Sequence, residues 1–134
     1  MMTINVSTSK RNELVDITQK VQDVVTQADL KQGMIVLYVP HTTAAVTINE
    51  GADPSVKNDI LQSLERLIPE KDGYHHLEGN SDAHIKSSLI GASALILVDK
   101  GRLVLGTWQH IFFFEGDGPR KRTLHMQLFP LLNS

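Results

Sequence analysis

The chain has 134 residues, 41% of them hydrophobic, a formal net charge of −2 and no cysteine. Its length predicts one domain, residues 1–134, with enough apolar side chains for its own core. The lack of cysteine excludes a disulfide scaffold, a thiolate metal cluster and a cysteine nucleophile. The slightly acidic balance argues against nucleic acid as a partner. Polar first residues and the lack of a long apolar run predict a cytoplasmic protein that does not cross a membrane.

Short strand patterns recur along the chain and alternate with three helical segments. Predicted strands cover residues 3–8, 14–17, 34–39, 42–49, 94–98, 103–105, 108–115 and 122–129. A first helix is predicted to be capped by Thr18, a second to start at Asp53-Pro54 and run to Pro69, and a third, capped by Ser81 or Asp82, to cover 82–91. Because the helices are grouped apart from the strands, we expect an α+β fold, a mainly antiparallel sheet or sandwich with two to three helices.

Six histidines are the strongest chemical signal in this sequence. His41 follows an apolar strand, His75 lies in a polar loop, and His84 lies in the first turn of the third helix. Without thiolates, imidazole and carboxylate are the usual ligands of a divalent ion. These three histidines, with Glu50, Glu78 or Asp82, therefore predict a metal or catalytic site. The alternative is that each histidine is hydrogen-bonded separately on a loop or strand face.

Cationic side chains offer candidate phosphate contacts near the third helix and the last strand. Lys86 either reaches a phosphate or pairs with Asp82, one helical turn away. Arg120 and Arg122 share strand parity with apolar residues, so each guanidinium needs an anionic partner. For this pair, a bound phosphate and an ion pair with Glu115 are equally supported.

Two further segments carry polar or aromatic groups. Asn49 and Glu50 precede the second helix, where Asp53 is expected to be its cap and Glu50 is the better acid or base. Trp108 beside Gln109 suits a bound heterocycle, although a core tryptophan is the alternative. Residues 112–114 are three phenylalanines that put aromatic bulk on both faces of one strand. We therefore expect one face to be covered by the helices and the other by a second subunit.

Four short sequence motifs occur along the chain in a characteristic order. They are His41-Thr42-Thr43-Ala44, Asn49-Glu50 with Asp53-Pro54, the loop from His75 through Glu78-Gly79 to His84-Ile85-Lys86-Ser87-Ser88, and Gly101 with Gly106-Thr107-Trp108-Gln109. Together they resemble the YjbQ-like family, which is also labelled secondary thiamine-phosphate synthase. The resemblance covers nearly the whole chain, from the first helix to the last strand.

The resemblance implies an α+β homotrimer that joins a hydroxymethylpyrimidine pyrophosphate to a thiazole phosphate with loss of pyrophosphate. It implies catalytic roles for His41, Glu50 and His84, and a zinc or magnesium ion on His41, His75 and His84. The residues expected to bind the small phosphorylated substrates are Asn49, Lys86, Trp108, Gln109, Arg120 and Arg122. Two alternatives stay open: a metal-dependent hydrolase with Glu50 as base, and a non-enzymatic trimer that binds a metal or a phosphorylated metabolite. No role is assigned to His76, His110 or His125.

Overall fold

The computed structural model describes residues 1–132, which form eight strands and three helices. In chain order these are β1 (Met2–Ser7), β2 (Glu13–Asp16), α1 (Thr18–Gln27), β3 (Gly33–Tyr38), β4 (Ala44–Glu50), α2 (Pro54–Leu67), α3 (Ser81–Ile90), β5 (Ser93–Asp99), β6 (Arg102–Leu103), β7 (Gln109–Glu115) and β8 (Lys121–Pro130). The larger sheet has the order β1-β8-β3-β5-β6 and the smaller one β2-β7-β4. Every strand pair in both sheets is antiparallel, which confirms the predicted α+β class.

The main core contains side chains from the two sheets and α1. Alternate residues of the larger sheet, such as Ile35, Leu37 and Met126, belong to the same buried cluster as Ile111 and Phe113 of the smaller one. Each large aliphatic side chain that is fully buried contributes roughly 1.5–3 kcal/mol. This core fixes the strand ends from which the candidate site residues project.

The phenylalanine triplet is covered entirely by its own chain. Phe113 lies in the main core. Phe112 and Phe114 belong to a second cluster with Ala45, packed against apolar side chains of α2. The expectation that a second subunit covers one face of this strand is therefore wrong, because α2 supplies the second cover.

The outer face of the larger sheet is the surface that exposes apolar side chains. Leu95 and Leu97 of β5 are each 55% exposed, and Tyr38 on β3 and Phe129 on β8 are also exposed. Val36 and Met34 lie between them in register on β3. Within residues 1–132, no helix is both long and apolar enough to span a lipid bilayer.

Of the three helix starts, the sequence predicts one N-cap correctly and two incorrectly. Asp53 is the N-cap of α2 and accepts a 2.9 Å hydrogen bond from the Ser55 amide, which confirms the cap prediction. The caps predicted for the other two helices are wrong. Thr18 lies inside α1, and Asn80, without a side-chain cap bond, precedes α3. Thr18 Oγ1 instead accepts from the Ile111 amide, since a neighbouring strand supplies that donor.

Candidate functional site

Two clefts adjoin at α3 and share His84. The first, named the His41 cleft, has a volume of about 520 Å³ and is lined by His41, His84, Ser87 and Ser88, among others. The second, named the Tyr74 cleft, has a volume of about 540 Å³ and is lined by Tyr74, His75, His76, His84 and Ile85, among others. His84 therefore belongs to the wall of both.

The end of α3 is attached directly to β4, and this attachment positions the His41 cleft. Gly91 follows the helix with a φ of 107°, in the region that favours glycine. Its amide donates to the Ser87 carbonyl, and its carbonyl accepts from the Val46 amide. The last turn of α3 is thereby held against the smaller sheet, close to the point where β4 begins.

His41 is fixed by the main chain of β8. Its Nε2 atom lies 3.1 Å from the Thr123 amide nitrogen and 3.1 Å from the Thr123 carbonyl oxygen. Burial, followed by the nearby Arg122 guanidinium, lowers the pKa of His41 below its ordinary value of 6.5. His41 is therefore a neutral imidazole at neutral pH.

Ser87 contributes a hydroxyl without a hydrogen-bond partner. The residue is only 8% exposed, and its Oγ atom is buried and unpaired. Leaving a buried hydroxyl unpaired costs about 1–3 kcal/mol. A ligand in the His41 cleft would offer an obvious partner.

The predicted metal ligands are divided between the two clefts. His41 lines one, His75 lines the other, and only His84 lines both. His84 instead contacts His76, with ring centroids 5.5 Å apart in an edge-to-face arrangement. Among residues 1–132, no three histidine, aspartate or glutamate side chains are grouped so that they could hold a metal ion.

Arg122 is buried and paired with Glu115. Its guanidinium hydrogen-bonds both carboxylate oxygens of Glu115 and the Thr43 hydroxyl. Burial alone would raise the pKa of Glu115, but the hydrogen bonds from Arg122 and other donors outweigh it and lower that pKa. Of the two alternatives for Arg122, the structure contains the ion pair. The more exposed Arg120 pairs with Asp117 at 2.9 Å.

Lys86 is also paired within the protein. It is 1% exposed, and its Nζ atom lies 3.0 Å from Asp82 and 2.7 Å from Glu65. Arg11 binds the same Asp82 carboxylate through two 3.0 Å hydrogen bonds. Burial alone would raise the pKa of Asp82, yet these two cations hold it below its ordinary value. Lys86 therefore supports the structure beneath the clefts and does not face them as a free cation.

The remaining predicted residues lie at the opposite end of the β4–β7 ladder. Glu50 pairs with Gln109 there, whereas Ala44 pairs with Glu115 at the end nearer His41. Seven strand residues separate the ends by about 20 Å. Glu50 accepts a bond from the Ala52 amide, Gln109 accepts one from the Gly106 amide, and Trp108 is 62% exposed. A single chain therefore does not bring Asn49, Glu50, Trp108 and Gln109 to His84.

Comparison with known proteins identifies the family. The family model described as UPF0047 protein YjbQ-like matches residues 2–130. The chain belongs to this family. The UPF0047 protein MJ1081 of Methanocaldococcus jannaschii is 54% identical over 123 residues, 92% of this chain and 89% of that protein. UPF0047 protein YugU of Bacillus subtilis is 46% identical over 129 residues, 96% of this chain and 98% of YugU.

Solved structures of YjbQ-like proteins share this fold. A family protein from Clostridium acetobutylicum superposes with a TM-score of 0.94 at 45% identity, covering 96% of this chain and 100% of that one. The hypothetical protein APE1520 from Aeropyrum pernix gives a TM-score of 0.92 at 39% identity, covering 97% and 98%. None of these four names states an activity, so the family establishes the fold and leaves the reaction to be proposed.

At the Glu50 end of the β4–β7 ladder, this YjbQ-like chain contains a contact that the sequence does not reveal. His110 Nδ1 lies 2.6 Å from an Asp16 carboxylate oxygen, although 94 positions separate the two residues. The imidazole lies against Gly51, where an added Cβ would be 2.0 Å from its Cγ atom. His110 therefore has a structural partner, and Gly51 makes room for its ring. Only the pairing of β2 with β7 brings these residues together.

Proposed function

We propose that this YjbQ-like protein is an enzyme that joins a hydroxymethylpyrimidine pyrophosphate to a thiazole phosphate with release of pyrophosphate. The observation that carries the proposal is the pair of clefts that share His84. A reaction between two ring compounds needs two adjoining places, and holding both reactants side by side supplies much of the catalysis.

The two clefts differ in chemistry, and this difference suggests which substrate each one holds. The Tyr74 cleft has aromatic and apolar groups, among them Tyr74 and Ile85, suited to the face of a heterocycle. The His41 cleft has hydroxyl and imidazole groups from His41, Ser87 and Ser88. We assign the pyrophosphate-bearing substrate to the His41 cleft and the thiazole to the Tyr74 cleft.

The step itself needs orientation and stabilisation of negative charge. The thiazole nitrogen donates its electron pair to the exocyclic methylene of the pyrimidine as the methylene–oxygen bond breaks. The bonding electrons leave on pyrophosphate, so charge develops on an oxygen near His84. Hydrogen-bond donors placed at that oxygen stabilise the transition state more than the bound substrates. In this proposal His84 is the shared donor and the residue nearest the reacting atoms.

A divalent ion stays part of the proposal, but the protein ligands available determine how the ion would be bound. The described residues offer no group of three ligands, so a resident zinc site on His41, His75 and His84 does not fit a single chain. Magnesium commonly binds through substrate phosphates and water, with one or two protein ligands. Bound in this way with the substrate, the ion would neutralise pyrophosphate charge without a dedicated protein cage.

Assembly into a homotrimer is a second part of the proposal. The exposed apolar face formed by Leu95, Leu97 and Phe129 supports it, because monomers rarely expose a broad apolar patch. Since Glu50 and Trp108 lie about 20 Å along the ladder from the His41 end, they can join the site only from a neighbouring subunit. The predicted roles of Asn49 and Gln109 depend on the same junction.

The activity is tested by measuring thiamine phosphate formation with purified protein. We expect His84→Ala to lower the rate by about 100-fold or more, the usual worth of a catalytic side chain of this kind. Gln27→Ala, on the exposed side of α1, is the control and should keep wild-type activity. A fully active His84→Ala variant with a wild-type melting curve would overturn the proposal.

Binding and hydrolysis are the competing functions, and the same assay separates them. If the intact protein is stabilised by thiamine precursors but forms no product, it is a binding protein. If phosphate is released from one precursor in the absence of the other, it is a hydrolase. Either result replaces the synthase proposal.

The trimer and its shared sites are tested by two substitutions on different faces. Leu97→Asp should convert trimer to monomer in sedimentation analysis, whereas Leu67→Asp, on exposed α2, should leave the assembly unchanged. Mixing His84→Ala with Trp108→Ala subunits should restore part of the activity, because some junctions then combine two intact halves. Failure of the mixture, with each variant alone inactive, would contradict a site shared between subunits.

A further inference from the structure

His41 occupies a gap in the hydrogen bonding between β3 and β8. The last paired residues are Tyr38 and His125, and the same antiparallel register would put Pro40 opposite Thr123. Proline has no N–H group, so the ladder cannot continue through it. The Thr123 amide donates instead to Nε2 of His41 at 3.1 Å.

This contact determines which nitrogen of His41 carries the proton. An imidazole nitrogen that accepts a hydrogen bond uses its lone pair, so the proton of the neutral ring lies on the other nitrogen. The Thr123 carbonyl, also 3.1 Å away, would suit the opposite tautomer. That tautomer would leave the Thr123 amide without an acceptor, and unpaired buried amides are rarer than under-satisfied carbonyls.

We propose that His41 presents Nδ1–H to the His41 cleft and acts there as a neutral hydrogen-bond donor to an oxygen of the ligand, not as a metal ligand. Nδ1 has no hydrogen-bond partner within the part of the chain that the structure describes, residues 1–132. The unpaired hydroxyl of Ser87 lies in the same wall and is a second neutral donor. The identification of the acceptor as a phosphate oxygen rests on the proposed function.

The tautomer can be measured directly on the intact, ¹⁵N-labelled protein. Two-bond nitrogen–proton couplings at pH 7.5 should show the His41 proton on Nδ1, whereas most free imidazoles carry it on Nε2. Zinc added alone should leave the His41 signals unchanged. A proton on Nε2, or a zinc-dependent shift of Nδ1, would overturn the inference without any bearing on synthase activity.

The donor role is tested with inorganic pyrophosphate as the probe. In His41→Asn the side-chain amide nitrogen replaces Nδ1–H, whereas His41→Gln places its amide near the Nε2 position. We expect the asparagine variant to bind pyrophosphate nearly as well as wild type, and the glutamine variant to bind about tenfold more weakly. Equal affinity in both variants would overturn the donor role. Absence of binding to the wild-type protein would overturn the proposed function together with the identity of the acceptor.

Discussion

The Glu115 end of the β4–β7 ladder contains a buried ion pair, whereas Glu50 and Asp53 at the other end lie nearer the surface and bond to main-chain amides. Glu115 and Arg122 contact each other behind His41, out of reach of solvent. At the other end, Glu50 and Asp53 bind amides two residues further along the chain. The difference shows that a buried cation can find its anionic partner within the fold. At the Glu115 end, the groups left for a ligand are the imidazoles of His41 and His84 and the serine hydroxyls.

The largest effect should come from breaking the buried pair at the Glu115 end. Arg122→Met leaves Glu115 buried without its main partner, and we expect the free energy of unfolding to fall by about 3–5 kcal/mol. Arg120→Met, which removes an exposed pair nearby, should cost less than about 1 kcal/mol. Urea denaturation measures both. Similar losses of unfolding free energy in the two variants would show that burial does not make the Arg122 pair more stabilising than the Arg120 pair.

A fall in pH should remove the stability contributed by the buried acids and His41 near the Glu115 end of the ladder. The pKa values of Asp82 and Glu115 are lowered in the folded protein, so their stabilising contribution is present above their ordinary values near 4 and is lost as the pH falls. The pKa of His41 is also lowered, so its contribution is present above pH 6.5 and is lost below it.

Denaturation at a series of pH values tests these signs. Stability should begin to fall below pH 6.5 and fall more steeply below pH 4. His41→Asn should remove the first part of the decline and keep the second. A wild-type protein that becomes more stable between pH 7 and pH 5.5 would contradict the direction assigned to His41.

The smallest effect is expected at the Glu50 end. Asp53→Ala removes the N-cap of α2 and should lower the melting temperature by a few degrees at most, whereas Asp53→Ser should retain most of the cap. Thermal unfolding of the two variants beside wild type provides the comparison. If both variants were equally destabilised, the cap bond to Ser55 would not be the source of the effect.

The start of α2 was predictable from neighbouring residues, whereas contacts between distant residues were not. Asp53 followed by Pro54 identifies the start of α2 because a cap and the residue after it are neighbours in sequence. The sequence left Arg122 open between an ion pair and a phosphate site, since the choice depends on how deeply the strand is buried. His75 and His76 are adjacent, and only the folded loop shows that His76 contacts His84.

The sequence could not show how far the candidate site extends, because this too depends on how distant residues are arranged in the fold. Glu50 and His41 lie within ten residues, yet an extended strand carries them to opposite ends of a ladder. The unpaired Ser87 hydroxyl has no sequence signal, because serine in the last turns of a helix usually faces water or the preceding carbonyl. Its neighbour Ser88 does bond the His84 carbonyl, at 2.8 Å.

His84 is proposed to serve both clefts with one imidazole, and calorimetric binding of each substrate fragment tests that claim. Titration of pyrophosphate and of thiazole phosphate into wild-type protein and His84→Ala should show that the substitution weakens both affinities by about tenfold, the worth of one hydrogen bond to a charged oxygen. A substitution that weakens one affinity and leaves the other unchanged, or that changes neither, would contradict the claim.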